Sequence, residues 1–402
     1  MIQFNRKESV PLSGRNISDY EKNKYEKISQ LLFVLGAVIF TGASACADEF
    51  VHKGWTWMYS TDCTSAALTN FTADTATTFD AADIPWKFTV GETEYTVTGI
   101  TASAFASTEN AKSKLTGTLT IPDSVVKIGK SAFLYQDKLT GLKISENIAT
   151  LSYAVFKNCK SLTSVIIPGS VTTIDNQAFG WCDKIKGGVW LKGPSVSSGT
   201  YCSLHTGAFN SVPPKVFLAG PMTKTASTTS EHTLGYGSTV TRAYIPDNGK
   251  WTTTWKSMTR VFRYGKDKEL DINIDESAKT LTATVTTEHT LTNVLASAAH
   301  FKEYFDLDTV ISITNDIAAS VEITEEMLKN VKLDIPSWYM SFSVKFQDQL
   351  DNLLENISGP LVIDITAAKE KITVPAGRKV AVMVPDGSTF RAAKSGLIFN
   401  LR

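Results

Sequence analysis

From 115 to 185 the chain repeats itself with one fixed period, and this repeat constrains the fold more than any other feature. The copies are LTGTLTIPDSVVKIGKSAFLYQDKL (115–139), LTGLKISENIATLSYAVFKNCKSL (139–162) and LTSVIIPGSVTTIDNQAFGWCDKI (162–185). Ile121, Ile144 and Ile167 recur at the same interval as Phe133, Phe156 and Phe179, and as Ile128, Leu151 and Ile174. A unit this short cannot bury its own apolar side. Stacked copies can, so each copy is expected to be one turn of a solenoid whose equivalent side chains line up in columns.

These copies resemble the BspA-like leucine-rich repeats, whose pattern runs L-x-x-(I/V)-x-I-P-x-S-V-x-x-I-G-x-x-A-F-x-x-C-x-x-L. The segment IPWKFTVGETEYTVTGITASAF (84–105) is similar to the family's first rung, and AYIPDNGKWTTTWKSMTRVF (243–262) to its C-terminal cap. The resemblance therefore takes in nearly half of the chain. It implies a β-rich solenoid of about six rungs over 84–264. The rung at 139–162 departs from the pattern, lacking Pro after Ile144 and carrying Val155 in place of Ala. The turns after Leu191 and Leu218 are stretched, through GPSVSSGTYCSLHTGAF (193–209) and the Ser/Thr-rich 223–241, which is expected to be surface loop.

Side chains alternate faces along a strand, so the first and third residues of each triplet are expected inside. That assigns Leu119/Ile121, Leu142/Ile144, Val165/Ile167, Val189/Leu191, Val216/Leu218 and Ala243/Ile245 to the core. The outward column becomes Thr120, Lys143, Ile166, Trp190, Phe217 and Tyr244, flanked by Thr118, Gly141, Ser164, Gly188, Lys215 and Arg242. Strands about 4.8 Å apart would join Ile166, Trp190, Phe217 and Tyr244 into an apolar stripe. Such a stripe is expected to bind an external ligand, with Lys143 at one end and the long loops as a rim. The alternatives are a ladder that only stabilises the sheet, or a stripe covered by the chain's own C-terminal part.

From Lys266 onward the fixed period disappears. Alternating runs at 281–287, 310–314, 331–335, 342–346, 361–365, 371–377 and 379–385 predict strands, and three-to-four spacing predicts helices over 291–305 and 347–357. The expectation for 265–402 is a β-rich α+β accessory domain.

The front of the chain looks like an address. Lys22, Lys24 and Lys27 precede the apolar run LLFVLGAVIF (31–40) and then TGASACADEF. That run is too short to span a bilayer, which needs about 20 apolar residues, and the order matches a secretory signal cut after Ala47. Residues 48–83 then form a lead-in and cap. In a second reading Ala43-Ser44-Ala45-Cys46 resembles a lipobox and makes Cys46 the lipidated first residue. The following Asp48-Glu49 resembles the acidic tag of surface-exported lipoproteins in Bacteroidetes. Either way the expected location is the cell surface or the medium, with membrane contact only through a lipid.

Charge and motif content exclude several functions. The 40 basic and 40 acidic side chains cancel, and without residues 1–47 the balance is 34 to 36, which gives no net basic face for nucleic acid. The five His show no metal-ligand spacing, and neither GxSxG nor a phosphate loop occurs. The stretch DINIDES (271–277) spaces Asp271, Asn273 and Asp275 as a calcium loop would. Glu276, however, stands where the sharp turn needs Gly, and Thr282 where a bidentate acid is needed. No catalytic residue, metal or cofactor is expected. Cys159 and Cys182 share one repeat position and are expected as stacked buried thiols, with a disulfide as the alternative; Cys63 and Cys202 are left unpaired. The resemblance implies a non-enzymatic binding protein that adheres to host extracellular-matrix proteins or other bacteria. A glycan-binding accessory protein is the alternative.

Overall fold

Rung-to-rung hydrogen bonds and one stacked phenylalanine per turn convert the repeat into structure. The computed structural model describes residues 48–62, 65–72, 78–107, 114–226, 241–251, 261–313, 328–335, 341–383, 389–391 and 397–399. The expected signal or lipidation segment, with Cys46, lies outside them, as do Cys63 and residues 227–240. Phe105, Phe133, Phe156, Phe179 and Phe209 are fully buried and stack face to face, with centroids 5.0 to 5.4 Å apart and ring planes within 4° to 17°. The amide of each of the first four donates to a carbonyl of the next rung: Phe105 to Ala132, Phe133 to Val155, Phe156 to Ala178 and Phe179 to Ala208, at 2.8 to 2.9 Å.

Holding the ring inward bends the backbone on both sides of it. Ser103, Ser131, Ala154, Gln177 and Gly207, two positions before a spine phenylalanine, are left-handed; so are Tyr135, Asn158, Trp181 and Ser211, two positions after one. Each non-glycine in that region costs about 1–2 kcal/mol. The burial of a whole phenylalanine per turn offsets it. Three positions after the ring, Gln136, Cys159 and Cys182 form a further column, in which each side chain donates to the phenylalanine carbonyl one rung back. Gln136 Nε2 reaches Phe105, Cys159 Sγ reaches Phe133 at 3.3 Å and Cys182 Sγ reaches Phe156 at 3.2 Å.

The strands of the turns pair into parallel ladders. Ser164–Ile167, Gly188–Leu191, Val216–Ala219, Arg242–Pro246 and Val261–Tyr264 form one sheet, and the short strands Thr150–Leu151, Thr173–Ile174, Cys202–Leu204 and Thr223–Thr225 another. Phe79–Asp80, Leu115–Thr120 and Lys138–Lys143 pair before them. The N-terminal end of the spine is sealed by antiparallel strands Asp48–His52, Trp55–Asp62 and Ser65–Thr72. Their Trp57 and Phe71 lie 6.1 and 5.1 Å from Phe105. A solenoid needs such a lid because its last rung has no neighbour to bury it.

Past Lys266 the strands and both helices fall where the sequence pattern puts them. Helix α1 spans Glu288–Phe305, with the Thr287 hydroxyl accepting from the Thr290 amide at its start. Helix α2 spans Gln347–Asn356. Rung stacking nevertheless continues without the fixed period. Thr280–Val285, Asp308–Ile313, Val331–Asp334 and Ile357–Ser358 run parallel in one sheet; Ser341–Ser343, Leu361–Asp364 and Val380–Met383 run parallel in another. The register partners Thr280↔Asp308, Thr309↔Val331 and Leu333↔Ile357 are separated by three different chain lengths. Unequal rungs hide the repeat from any fixed-period reading. Asp271, Asn273 and Asp275 lie on the strand Leu270–Asp275, antiparallel to Thr280–Val285, rather than on a metal-binding loop.

Two apolar cores result. One runs from Trp55 through the phenylalanine spine to Trp251, and the other joins Trp190, Leu218, Tyr244 and Phe262 to α1 and the strands beyond it. The sheet at 164–264 separates them and is covered on both faces at its central strands, where Gly188–Leu191 and Val216–Ala219 are buried at every position. Both cores lie within the compact unit Ala47–Arg402.

Candidate functional site

The expected ligand-binding stripe separates into three environments. Trp190 and Tyr244 do point outward, yet they are only 4% and 0% exposed. Helix α1 lies over them: the Trp190 ring is 5.7 Å from Phe305, and the Tyr244 ring 5.5 Å from Phe301. The Tyr244 hydroxyl donates to the Asn293 carbonyl at 2.9 Å and sits 2.7 Å from Ser297 Oγ. Beside it, Arg242 Nε donates to Asn293 Oδ1 at 3.3 Å. Gly187 and Gly188 let the helix come this close, since a Cβ there would lie 2.4 Å from the Tyr304 ring and 2.6 Å from the Phe305 ring. Covering by the chain's own C-terminal part, the alternative raised from the sequence, is the arrangement found.

Phe217 belongs to the opposite face. Val189 pairs with Phe217 and Trp190 with Leu218, so the interval there is one position longer than the alignment of the two triplets suggests. A slip of one position exchanges the two faces of a strand. Phe217 and Ala219 therefore point into the spine core, Val216 and Leu218 outward, and Val216 takes the column position expected for Lys215. Phe217 stands edge-on to Phe209 at 6.0 Å and to Trp251 at 6.3 Å, where it ends the spine. It is a terminal core residue.

What remains open on this face is its N-terminal end. Thr118, Thr120 and Lys143 are exposed, and Gly141, Ser164 and Ile166 are half-buried, with Ile166 leaning on the second core. Lys192 marks the border: its ammonium lies over the Trp190 ring and pairs with Glu276 and, at 3.8 Å, Glu146. Glu276, the would-be calcium-loop residue, is thus one half of an ion pair between the two parts of the chain.

The cysteine column carries no disulfide. Cys159, Cys182 and Cys202 are buried free thiols, and burial raises the pKa of all three, that of Cys202 to about 12. Among the described residues no group of three or more His, Cys, Asp or Glu side chains could hold a metal ion.

A family model described as BspA type leucine rich repeat region matches residues 88–187 in 6 copies. A leucine-rich repeat protein of solved structure from Bacteroides capillosus is 34% identical; the match covers 32% of this chain and 88% of that one, with a TM-score of 0.26. The chain belongs to the BspA-type leucine-rich repeat family. This BspA-type protein is also similar to a leucine rich cell surface protein from Faecalibacterium prausnitzii, at 14% identity over 82% of this chain and 91% of that one (TM-score 0.33). A third similar structure is the pneumococcal vaccine antigen PcpA, at 13% identity over 79% and 98% (TM-score 0.38). No protein of curated function matches the chain. Among its described residues, no helix of this BspA-type protein is long and apolar enough to cross a membrane.

Proposed function

We propose that this chain is an exported, non-enzymatic binding protein that adheres to proteins on host or bacterial surfaces, extracellular-matrix proteins among them. The reading rests on one observation: the stacked rungs present an open face across two neighbouring sheets, at Thr118, Thr120 and Lys143 on one and Ser164 and Ile166 on the next, just where the cover of α1 ends. A preformed face loses little freedom on binding, so even modest contacts contribute to affinity. Lys143 supplies charge and Ile166 an apolar anchor, while the part of the loop before the strand Cys202–Leu204, residues 193–201 with Val196 64% exposed, forms the rim. Export follows from the basic, apolar and small-residue order of residues 22–47, with Cys46 as the lipid acceptor if the protein stays anchored. Solenoid 84–264 and C-terminal part 265–402 act together, the second holding the first's sheet.

The test is surface binding of residues 48–402 to fibronectin, fibrinogen, collagen and laminin, beside a Lys143→Glu/Ile166→Asp variant. Binding lost by the variant at unchanged melting temperature supports the site. Equal binding by both moves the adhesive surface elsewhere, and no binding to any protein removes the adhesion reading.

A further inference from the structure

A second surface is formed by the turns around Phe156 and Phe179, and it goes beyond the protein-binding reading above. Four side chains meet there. Gln177 Oε1 accepts from Lys157 Nζ at 2.8 Å and from the Tyr153 hydroxyl at 3.3 Å, and the same Lys157 ammonium lies 4.6 Å from the centre of the Trp181 ring. Tyr153 is 42% exposed, and Lys157, Gln177 and Trp181 are half-exposed.

Two features separate this cluster from an ordinary stretch of surface. First, Lys157 has no carboxylate within ion-pair distance among the described residues, so a half-buried cation held by the Gln177 oxygen and the Trp181 ring carries no counter-charge there. Second, Gln177 spends its carbonyl oxygen on two donors, which fixes the amide and turns its two N–H groups away from them.

We infer that Tyr153, Lys157, Gln177 and Trp181 bind an acidic saccharide, one whose sugar ring carries a carboxylate. The Tyr153 ring and the Trp181 face turned away from Lys157 offer flat surfaces for the C–H side of a sugar ring, and the Gln177 amide and Tyr153 hydroxyl meet its hydroxyls. The Lys157 ammonium takes the carboxylate as a charge-assisted pair. A peptide fits less well. All four residues sit on turns, off the strands, so the cluster offers no strand edge, and its mixed donors, acceptors and rings lie within two adjacent rungs.

The experiment is titration calorimetry of the full chain with a galacturonate oligosaccharide and with sialyllactose, and with galactan fragments and lactose as neutral counterparts. The wild type should bind an acidic probe saturably, at least 10-fold tighter than its neutral counterpart. Trp181→Asn keeps a residue the left-handed backbone accepts, as Asn158 does one rung earlier, and Lys157→Met keeps the aliphatic stem. Each should weaken acidic-probe binding at least 10-fold with the melting temperature unchanged. If Trp181→Asn fails to fold, Lys157→Met alone decides. Absence of saturable binding, equal affinity for acidic and neutral probes, or undiminished binding by Lys157→Met overturns the proposal. So does loss of matrix-protein binding in these variants without any saccharide binding, which would make the ridge a protein contact.

Discussion

Phe217 and Leu218 are neighbours in one strand and serve different cores, and substitutions there should show it. Phe217→Ala removes the ring that closes the spine against Trp251. It should cost about 3–5 kcal/mol, the usual range for emptying a buried aromatic site. Tyr244→Phe keeps the packing and removes only the hydroxyl shared with Asn293 and Ser297. That should cost about 1 kcal/mol. Urea unfolding of both distinguishes them, and a Phe217 variant as mild as the Tyr244 one would contradict the inward assignment. Gly187→Ala and Gly188→Ala test helix docking from the sheet side, since each Cβ meets an aromatic ring of α1. A loss of about 1–3 kcal/mol in each is expected. The spine and the cysteine column were legible in the sequence because a strict period places equivalent atoms above one another. Phe217 was not, because the stretched loop before it adds one position with nothing in its composition to show on which side of the strand triplet the addition falls. In the native state Cys159, Cys182 and Cys202 should resist alkylation at pH 8, being buried and held as thiols. Rapid labelling of all three without denaturant would show that the rungs open.

Helix α1 was readable as a helix but not as a cover. Its apolar residues at three-to-four spacing indicate a buried face, yet nothing local says that the face meets Trp190 and Tyr244 instead of only its own strands. Its docking should depend on pH. His300, half-buried on α1, has its pKa lowered below the usual 6.5, first by burial and then by Lys215 and Arg242, with Glu303 acting in the opposite sense. A group whose folded-state pKa is depressed resists a proton that the unfolded chain accepts. Its contribution is therefore constant above the unfolded value and turns unfavourable as pH falls through and below about 6.5. Thermal unfolding should accordingly show lower stability at pH 5.5 than at pH 7.5, with part of the difference abolished in His300→Gln. An unchanged difference in that variant would assign the effect to other groups.

At the scale of the whole molecule, the two cores share one sheet, and neither half is complete alone. Deleting residues 266–402 would lay open Trp190, Leu218, Tyr244 and Phe262, a contiguous apolar face of the kind that drives association. The truncated chain should elute as oligomers and bind a hydrophobic dye, whereas residues 48–402 should do neither. A monomeric, dye-free product would mean that the solenoid stands without its cover. The sequence pattern divides the chain into a periodic part and an aperiodic one. It does not give their relation, because the docking surface combines side chains far apart along the chain, such as Ser297 on Tyr244.

The double-sided sheet also fixes where such a protein can lengthen. One more repeat unit inserted before Ser164 would add one phenylalanine to the spine and one strand to the uncovered end, leaving every contact between α1 and the sheet in place. The same unit inserted after Gly188 would move Tyr244 away from Asn293 and leave a rung with no helix above it. Growth by duplication is thus open on the N-terminal side and closed on the other, and it would enlarge the exposed face while leaving the anchored one unchanged.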